Sequence, residues 1–312
     1  DKYLQKVELG TLEVEYPNGS IMVYVNNDTP RVKVKINSSS FFRRLAFYGD
    51  IGFAESYMDG DFGTDSLTEL IKLSLINSKN LGVKSEDYKE NRFSNLMPNM
   101  NRIKHLMRKN SKTRSKKNIS EHYDLSNDFF KLMLDETMMY SSAVFGSHEE
   151  SLYDAQKRKI EHLAKKLRIK PGAKVLEIGS GWGAVAVHLA KDLGCDVTTV
   201  TLSSEQKDFC HDRFRLENVE DKLDILLKDY RDIEGTYDAI ISVEMFEAVG
   251  AEYFDVFFKK CESLLKPSGV LAMQVITIPD QRYDAYSKST DFIQKYIFPG
   301  VHITEYPDTH VV

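Results

Sequence analysis

The stretch VLEIGSGWGAVAV, residues 175–187, contains the strongest fold signal in this chain. It begins as the apolar run of a buried strand and turns into a helix. Between the two lie Gly179, Gly181 and Gly183. Because glycine lets a backbone turn sharply and approach a ligand closely, the stretch predicts a strand–turn–helix unit with a ligand at the turn. Its G-x-G-x-G spacing does not fit the G-x-G-x-x-G pattern of dinucleotide-binding folds.

Strand-like and helix-like segments alternate around this unit. A helix is predicted in SLYDAQKRKIEHLAKKL, because its apolar residues recur on one face. The strand-like runs are AKVLEIG, DVTTVTL, LDILLKD, YDAIISVEM and VLAMQVITI. This alternation predicts an α/β fold with a doubly wound, mainly parallel sheet covered by helices on both faces. Ligands of such sheets bind beyond the carboxyl ends of the strands.

The first 80 residues have a different pattern. In TLEVEYPNGSIMVYV (residues 11–25), apolar and polar residues alternate on both sides of a Pro-Asn-Gly turn, which predicts a β-hairpin. After Ser40 the apolar period lengthens to that of a helix. We therefore predict a small α+β domain at residues 1–80.

A polar segment separates the two domains. Residues 81–117 are rich in Asn, Ser and Lys and are interpreted as a linker, with the α/β domain at residues 118–312. Residues 102–117 contain eight Lys or Arg and no acid. Such a segment is either a solvated linker or a contact for an anionic partner, either a membrane surface or nucleic acid. Nucleic acid is disfavoured because neither interleaved aromatic residues nor a recognition fold accompanies the charge.

The composition is that of a globular protein, with 312 residues and a net charge of −5. No apolar run approaches the length of a membrane span and no signal peptide is recognisable, so a cytoplasmic protein is expected. The three cysteines, Cys195, Cys210 and Cys261, lack metal-ligand spacing. We predict reduced thiols and no metal site.

Two acids follow the strand-like run YDAII. In ISVEMFEAVG (241–250), Glu244 and Glu247 stand three residues apart among apolar neighbours. An acid at the apolar end of a buried strand usually has a partner or a function, because burying an unpaired carboxylate is costly. Glu244 is interpreted as an acid on the outer face or behind the site.

The order of these segments resembles class I S-adenosylmethionine-dependent methyltransferases. Glu177 precedes the glycine turn, LLKDYRD (226–232) lies two strands later, and YDAIISVEM forms the fourth strand. The resemblance implies that the glycine turn faces the methionine and ribose of S-adenosylmethionine. It also implies that Tyr230 and Arg231 lie beside the adenine.

The second strand ends in neutral residues, TTVTLSSEQ, where many nucleotide-binding folds have an acid. The side chains of Thr201, Ser203 and Gln206 can hydrogen-bond ribose hydroxyls. Alternatively, Ser203 or Ser204 caps the next helix, with Gln206 or Glu205 closing a capping box. Both roles can hold together.

Longer strings resemble the cyclopropane fatty acid synthase family in order and spacing. They are ISEHYDLSNDFFKLMLDETMMYSSAVF (119–145), VLEIGSGWG, VTLSSEQ, KDYRD, MFEAVG and DFIQKYIFPG. YGDIGFAESYMDGDF (48–62) resembles the N-terminal domain of the bacterial acyl-phospholipid enzymes, so the resemblance runs from about residue 9 to Gly300. YSSAVF and the stretch from Gln274 are most similar to the branch that includes the plant enzymes.

The resemblance implies a reaction. A cis double bond of a phospholipid acyl chain attacks the sulfonium methyl of S-adenosylmethionine, and a bound bicarbonate removes a proton from the added methyl before the ring closes. It assigns the ion to Glu247, Ser142, Gln274 and Ile276, and places Tyr140 and Ser141 at the cofactor. Ser142 stands where many members have cysteine, and Gln274 where the bacterial pattern has histidine. A homodimer is also implied.

Three alternatives stay open: a methyl- or methylene-branching lipid enzyme, a small-molecule N-methyltransferase, and an inactive relative. The last arises because the sequence leaves the family pattern after Gly300 and ends in VHITEYPDTHVV. The methyltransferase domain is therefore predicted to be C-terminally incomplete.

Overall fold

The computed structural model describes residues 4–25, 29–78, 80, 127–287, 289–298 and 300–305. The predicted linker and its basic segment, 102–117, lie outside these ranges. The chain divides into two compact units. One comprises Asp1–His105 with Gln281–Tyr296, and the other Leu106–Asp280 with Ile297–Val312.

The first unit is built on a four-stranded sheet of order β2-β1-β3-β4. Its elements are β1 Thr11–Glu15, β2 Ile21–Val25, β3 Arg31–Ile36, α1 Ser40–Met58, β4 Phe62–Thr64 and α2 Leu67–Ile76. The predicted hairpin is confirmed, since β1 and β2 pair antiparallel from Glu15 opposite Ile21. Alternate residues of β3, Val32, Val34 and Ile36, are buried against the helices. This period of two explains why the strand has one polar face.

Residues 281–296 belong to the first unit, which differs from the boundary predicted at residue 118. Both the Lys295 ammonium and the Tyr296 hydroxyl donate to Glu55 Oε1 of α1, the latter over 2.6 Å. These bonds explain why a segment so late in the chain packs with the N-terminal helix.

The second unit contains a five-stranded, all-parallel sheet of order β7-β6-β5-β8-β9. Its helices are α3 Asn127–Lys131, α4 Leu152–Leu167, α5 Ala184–Lys191, α6 Ser204–Leu216 and α7 Phe254–Leu264. The next helix, α8 Asp280–Ser287, begins at the boundary and lies in the first unit from Gln281 onward. The strands of the second unit are β5 Lys174–Ile178, β6 Asp196–Thr201, β7 Leu223–Leu227, β8 Tyr237–Val243 and β9 Leu265–Gln274, with a short parallel pair β10 Thr277–Ile278 and β11 Thr304–Glu305.

Successive residues of the central strands enter different cores. Val175 and Ile241 pack in one hydrophobic cluster with Leu189 of α5, whereas Leu176 packs in a second with Phe257 of α7. Because both faces are apolar, helices cover both sides of the sheet. The predicted doubly wound α/β fold is confirmed.

Parallel strands bring their carboxyl ends to one edge. Strands β5, β8 and β9 end near one another, at Ile178, Val243 and Gln274. Their register shows this, since Glu177 pairs with Ile241 and Val243 pairs with Gln274. The glycine turn, the two glutamates and Gln274 therefore share this edge.

Candidate active site

The glycine turn after β5 contains three different environments. Gly179 has φ +99°, and a Cβ there would lie 3.0 Å from Met245 Cβ. Gly183 has φ +85°, and its Cβ would lie 2.9 Å from Phe214 of α6, so this position packs against protein. Gly181 has φ +48° with no described atom within 4 Å of its Cβ position. A ligand can approach the backbone at Gly181, whereas a cofactor contact by Gly183 stays a prediction.

Residues 127–142 cover this turn. Trp182 is 3% exposed and packs against Phe130, with 4.8 Å between ring centroids. Its Nε1 donates to Asn127 Oδ1 over 2.8 Å. Arg213 of α6 donates to the carbonyl oxygens of Thr137 and Trp182, both over 2.8 Å. One half-buried guanidinium thus ties the covering segment to the turn.

The segment continues into Tyr140 and Ser141, the predicted cofactor contacts. The Tyr140 ring lies 5.5 Å from Phe130 and stacks at 6.0 Å on Phe298. Lys159 of α4 donates to Ser141 Oγ over 2.5 Å, and Gln156 donates to the Ser141 carbonyl over 2.9 Å. Two buried polar residues of α4 therefore fix Ser141.

The polar side chains that follow β6 hydrogen-bond to one another. Ser203 caps α6 by accepting from the Gln206 N–H at 3.2 Å, so the predicted cap is confirmed. The predicted capping box is not formed, because the Ser203 N–H donates to Thr201 Oγ1. Thr201 Oγ1 donates to Gln206 Oε1 over 2.8 Å and accepts from the Ser203 N–H. All three side chains are buried. Their binding of ribose stays a prediction.

The predicted adenine loop follows β7. Arg231 makes a salt bridge to Asp229, with 2.6 Å between Nη2 and Oδ2, and its guanidinium lies 5.4 Å from the centre of the Tyr230 ring. Tyr230 packs edge-on against Phe257, and burial raises the pKa of its hydroxyl to about 12. That hydroxyl has no hydrogen-bond partner among the described residues. The structure brings Tyr230 and Arg231 together, but their contact with adenine is untested.

Glu177, at the end of β5, is a buried acid. It is 2% exposed and accepts a hydrogen bond from Thr199 Oγ1 over 2.6 Å. Burial raises the pKa of Glu177 to about 8, and the Thr199 bond opposes this only in part. Burial therefore favours the uncharged acid at this position.

Glu247 lies in a single helical turn, Phe246–Ala248, just after β8. It is 4% exposed, and its Oε1 accepts the Ile276 N–H in a short hydrogen bond. Oε2 is buried without a hydrogen-bond partner among the described residues. Burial is the main reason that the pKa of Glu247 is raised, and the nearby Glu244 charge adds to it. A buried acceptor atom is thus left for a ligand.

Glu244 joins the remaining predicted residues. Its Oε1 accepts both the Ser142 N–H over 2.9 Å and Gln274 Nε2 over 2.8 Å, and Gln274 Nε2 also donates to the Ser142 carbonyl over 3.0 Å. The four residues that the resemblance assigns to the ion therefore form two neighbouring pairs, Ser142 with Gln274 and Ile276 with Glu247. Of the two interpretations of Glu244, on the outer face or behind the site, the structure supports the second, because its carboxylate accepts from Ser142 and Gln274.

Sequence reasoning missed Lys159 and Arg213. Lys159 is 1% exposed and lies between the buried Ala155 and Leu163 on one face of α4. A lysine at an apolar helical position was the available signal, since lysine is rarely fully buried without a partner. Arg213 gave no such signal, because its acceptors are backbone carbonyls that only the fold brings near.

Comparison with known proteins identifies the relatives of this chain. The family model described as mycolic acid cyclopropane synthetase matches residues 110–310, which is more than half of the chain. The chain belongs to this family. The predicted resemblance to cyclopropane synthases is therefore confirmed, and so is the enzyme class of the family, S-adenosylmethionine-dependent methyltransferases.

Two curated relatives are similar to this chain over most of its length. Tuberculostearic acid methyltransferase UfaA1 of Mycobacterium tuberculosis is 37% identical over 83% of this chain and 60% of its own length. Cyclopropane-fatty-acyl-phospholipid synthase of Escherichia coli is 35% identical over 89% of this chain and 68% of its own length. The chain thus spans only about two thirds of these relatives.

Solved structures agree with the fold. The cyclopropane synthase MmaA2 of Mycobacterium tuberculosis is 31% identical, with a TM-score of 0.56 over 61% of this chain and 70% of its own. Mycolic acid cyclopropane synthase CmaA1, complexed with SAH and CTAB, is 30% identical, with a TM-score of 0.55 over the same shares. Among the described residues, none of the helices has the length and apolar character needed to cross a bilayer.

Proposed function

We propose that this chain is a C-methyltransferase that adds a methylene across a cis double bond of a phospholipid acyl chain. The observation that carries the proposal is the buried carboxylate of Glu247, whose Oε2 has no hydrogen-bond partner among the described residues. Glu247 lies at the edge of the sheet where the glycine turn also lies. The name of a relative supports a phospholipid acyl chain as the substrate, since the Escherichia coli relative is a cyclopropane-fatty-acyl-phospholipid synthase.

S-adenosylmethionine, when bound, supplies the methyl group as an electrophile. In this proposal the backbone at Gly179 and Gly181 receives the cofactor, because Gly181 has open space around its Cβ position. Tyr140 and Ser141 lie on the covering segment, and Lys159 and Gln156 orient Ser141. The proposed contacts of Thr201, Ser203 and Gln206 with the ribose, and of Tyr230 and Arg231 with the adenine, complete the site.

An apolar surround suits a reaction that develops positive charge on carbon, because water would trap the cation as an alcohol. Tyr140 is flanked by Phe130 and Phe298, and aromatic faces stabilise cations. Phe246, the aromatic residue next to Glu247, stacks on Phe254 at 4.3 Å between ring centroids and belongs to the hydrophobic core. The Tyr140 ring is therefore the aromatic group we assign to the reacting centre.

The residues that the resemblance assigns to the ion offer bicarbonate one free hydrogen-bond acceptor, while most of their N–H donors are already used within the described part of the chain. When bound, bicarbonate supplies the base, and its O–H would meet Glu247 Oε2, which has no partner in the described part of the chain. The Ser142 N–H and the Gln274 side-chain amide already donate to Glu244, and the Ile276 N–H already donates to Glu247. The Ser142 hydroxyl makes no hydrogen bond within the described ranges and is the group we assign to the ion, with Gln274 and Ile276 shaping its site.

The acyl substrate implies a membrane partner. We propose that the enzyme acts from the cytoplasmic side as a peripheral protein, with the basic segment 102–117 meeting anionic lipid. A homodimer stays a prediction. Binding to vesicles with and without anionic lipid, at low and high salt, tests the first point, because screening weakens such contacts.

The decisive experiment is lipid mass spectrometry. The chain is incubated with S-adenosylmethionine and cis-unsaturated anionic vesicles, in carbonate-free buffer and with added bicarbonate, beside Glu247→Gln. We expect an acyl product heavier by one CH₂ that depends on bicarbonate and is lost in the variant. No product, while S-adenosylmethionine still binds by calorimetry, would contradict the proposal.

A second candidate is a branching lipid methyltransferase, which is favoured by the 37% identity to tuberculostearic acid methyltransferase UfaA1. Fragmentation of the same product separates the two, because a methyl or methylene branch and a cyclopropane ring break at different bonds. Amine substrates consumed in preference to lipid would instead indicate an N-methyltransferase.

A further inference from the structure

Glu244 joins three separate elements at the edge of the sheet. Its Oε1 accepts from the Ser142 backbone, which belongs to the covering segment, and from the Gln274 amide, at the end of β9. The same Gln274 nitrogen donates to the Ser142 carbonyl, so both backbone groups of Ser142 are held. The Glu244 N–H itself donates to the Gln274 carbonyl over 2.8 Å.

The backbone at Glu244 is unusual for its residue type. Its φ is +48°, in the left-handed region that favours glycine. A non-glycine residue keeps such a conformation only where its surroundings hold it, and such residues cluster at functional sites. Here the conformation turns the chain at the end of β8 and directs the carboxylate to Ser142 and Gln274.

The surrounding charges reinforce this arrangement. The ammonium of Lys159 is buried, and the Glu244 charge opposes the fall in its pKa that burial causes. The Lys159 ammonium in turn donates a hydrogen bond to the Ser141 hydroxyl. The adjacent residues Ser141 and Ser142 are therefore fixed by groups of opposite charge, Lys159 and Glu244.

We propose that Glu244 is a positioning residue, which holds Ser142 and Gln274 in place so that the Ser142 hydroxyl and the Glu247 carboxylate face the same reacting centre. The inference rests on the proposed function for its catalytic consequence. The positioning itself depends only on the network. Hydrogen bonds to a carboxylate are stronger than neutral ones, so a charged anchor suits this exposed loop.

The test compares Glu244→Ala and Glu244→Gln with Glu262→Ala, a control at an exposed acid on α7. Hydrogen exchange of the Ser142 amide should accelerate about tenfold in Glu244→Ala, which corresponds to the loss of one hydrogen bond. Glu244→Gln keeps an acceptor oxygen and should restore part of the protection. Equal exchange in the parent and both variants would overturn the proposal, whether or not lipid turns over.

Turnover supplies the second readout. Glu244→Ala should lower kcat by about tenfold to a hundredfold through misplacement of the reacting groups, with KM for lipid within about threefold. The acid limb of the pH–rate profile should move to lower pH, because the Glu244 charge no longer raises the pKa of Glu247. Unchanged kcat with an unchanged acid limb would also overturn the proposal. If Glu244→Ala fails to fold, Gln274→Ala is the second variant. It removes the donor to the Ser142 carbonyl and leaves the N–H bond to Glu244, so Ser142 exchange should accelerate by less than in Glu244→Ala. Unchanged exchange in Gln274→Ala would overturn the proposed network.

A parent protein that turns over no lipid would contradict the proposed function, and the exchange experiment would still decide the role of Glu244. The two failures are therefore distinguishable.

Discussion

Lys159 donates a hydrogen bond to Ser141 Oγ over 2.5 Å from a position that is 1% exposed. A buried ammonium beside the proposed cofactor contact links the stability of α4 to the geometry of the site. Burial lowers the pKa of Lys159 to about 8, while the Glu244 and Asp135 charges act in the opposite direction.

This pKa predicts how stability depends on pH. Between pH 8 and 10.5 the unfolded chain binds more protons at Lys159 than the folded protein, so the wild type gains stability as pH rises. Relative to Lys159→Met, the gain should be roughly 3 kcal/mol, at 1.36 kcal/mol per unit of pKa difference. Urea unfolding at pH 7, 9 and 10.5 measures it. The exposed Lys166→Met on the same helix is the control, and parallel curves for both variants would contradict the prediction.

Glu247→Gln should make the folded protein more stable at alkaline pH while it lowers turnover. The pKa of Glu247 is raised mainly by burial, so the stabilising protonated form is lost as pH rises through the folded pKa. The amide mimics that protonated form. The variant should therefore be more stable than the wild type at pH 8 but not at pH 4, by thermal unfolding.

The same variant should lose turnover by about a hundredfold or more, the usual scale of general acid–base contributions. The wild-type rate should fall on the acid side at a pH above 4.5, the ordinary value for glutamate. An acid limb at or below that value would show that the buried carboxyl does not limit the reaction.

The Ser142 hydroxyl can be tested without disturbing its backbone. Ser142→Ala keeps the N–H bond to Glu244, so S-adenosylmethionine binding should be unchanged. Turnover should fall roughly tenfold, the value of one hydrogen bond near 1.4 kcal/mol. Ser142→Cys should retain more activity than alanine. Ser147→Ala, at an exposed serine of the same loop, is the control, and equal rates for all three variants would remove the hydroxyl from the mechanism.

Two glycines of the turn should respond differently. Gly181→Ala meets no described atom within 4 Å and should destabilise by about 1 kcal/mol through its positive φ alone, while cofactor binding falls. Gly183→Ala meets Phe214 at 2.9 Å and should lose a further 1–3 kcal/mol, roughly, by overpacking. Urea unfolding and calorimetry with SAH measure the two effects. A stable Gly183→Ala, or a Gly181→Ala with normal binding, would contradict this division.

Local patterns determined much of the fold. The apolar runs and glycine turn of residues 175–187, the helix at Leu152–Leu167 and the hairpin at Thr11–Val25 depend on neighbours in sequence, and each forms as predicted. Ser203 was also predictable as a cap, because its bond to the Gln206 N–H spans three residues. The predicted Glu247, Gln274 and Ile276 lie at one sheet edge because parallel strands all end there.

The contacts that no sequence pattern predicted join residues that are distant in the chain. Glu244 meets Ser142 across 102 residues and Gln274 across 30, and Glu55 meets Lys295 across 240. Nothing in the spacing of the sequence encodes these distances. Arg213, whose acceptors are backbone carbonyls, depends on the fold in the same way. Local periodicity was enough to predict which helices and strands form and at which end of the sheet the site lies. The fold alone decided which buried charges face one another, because burial and hydrogen bonding are properties of the packed chain.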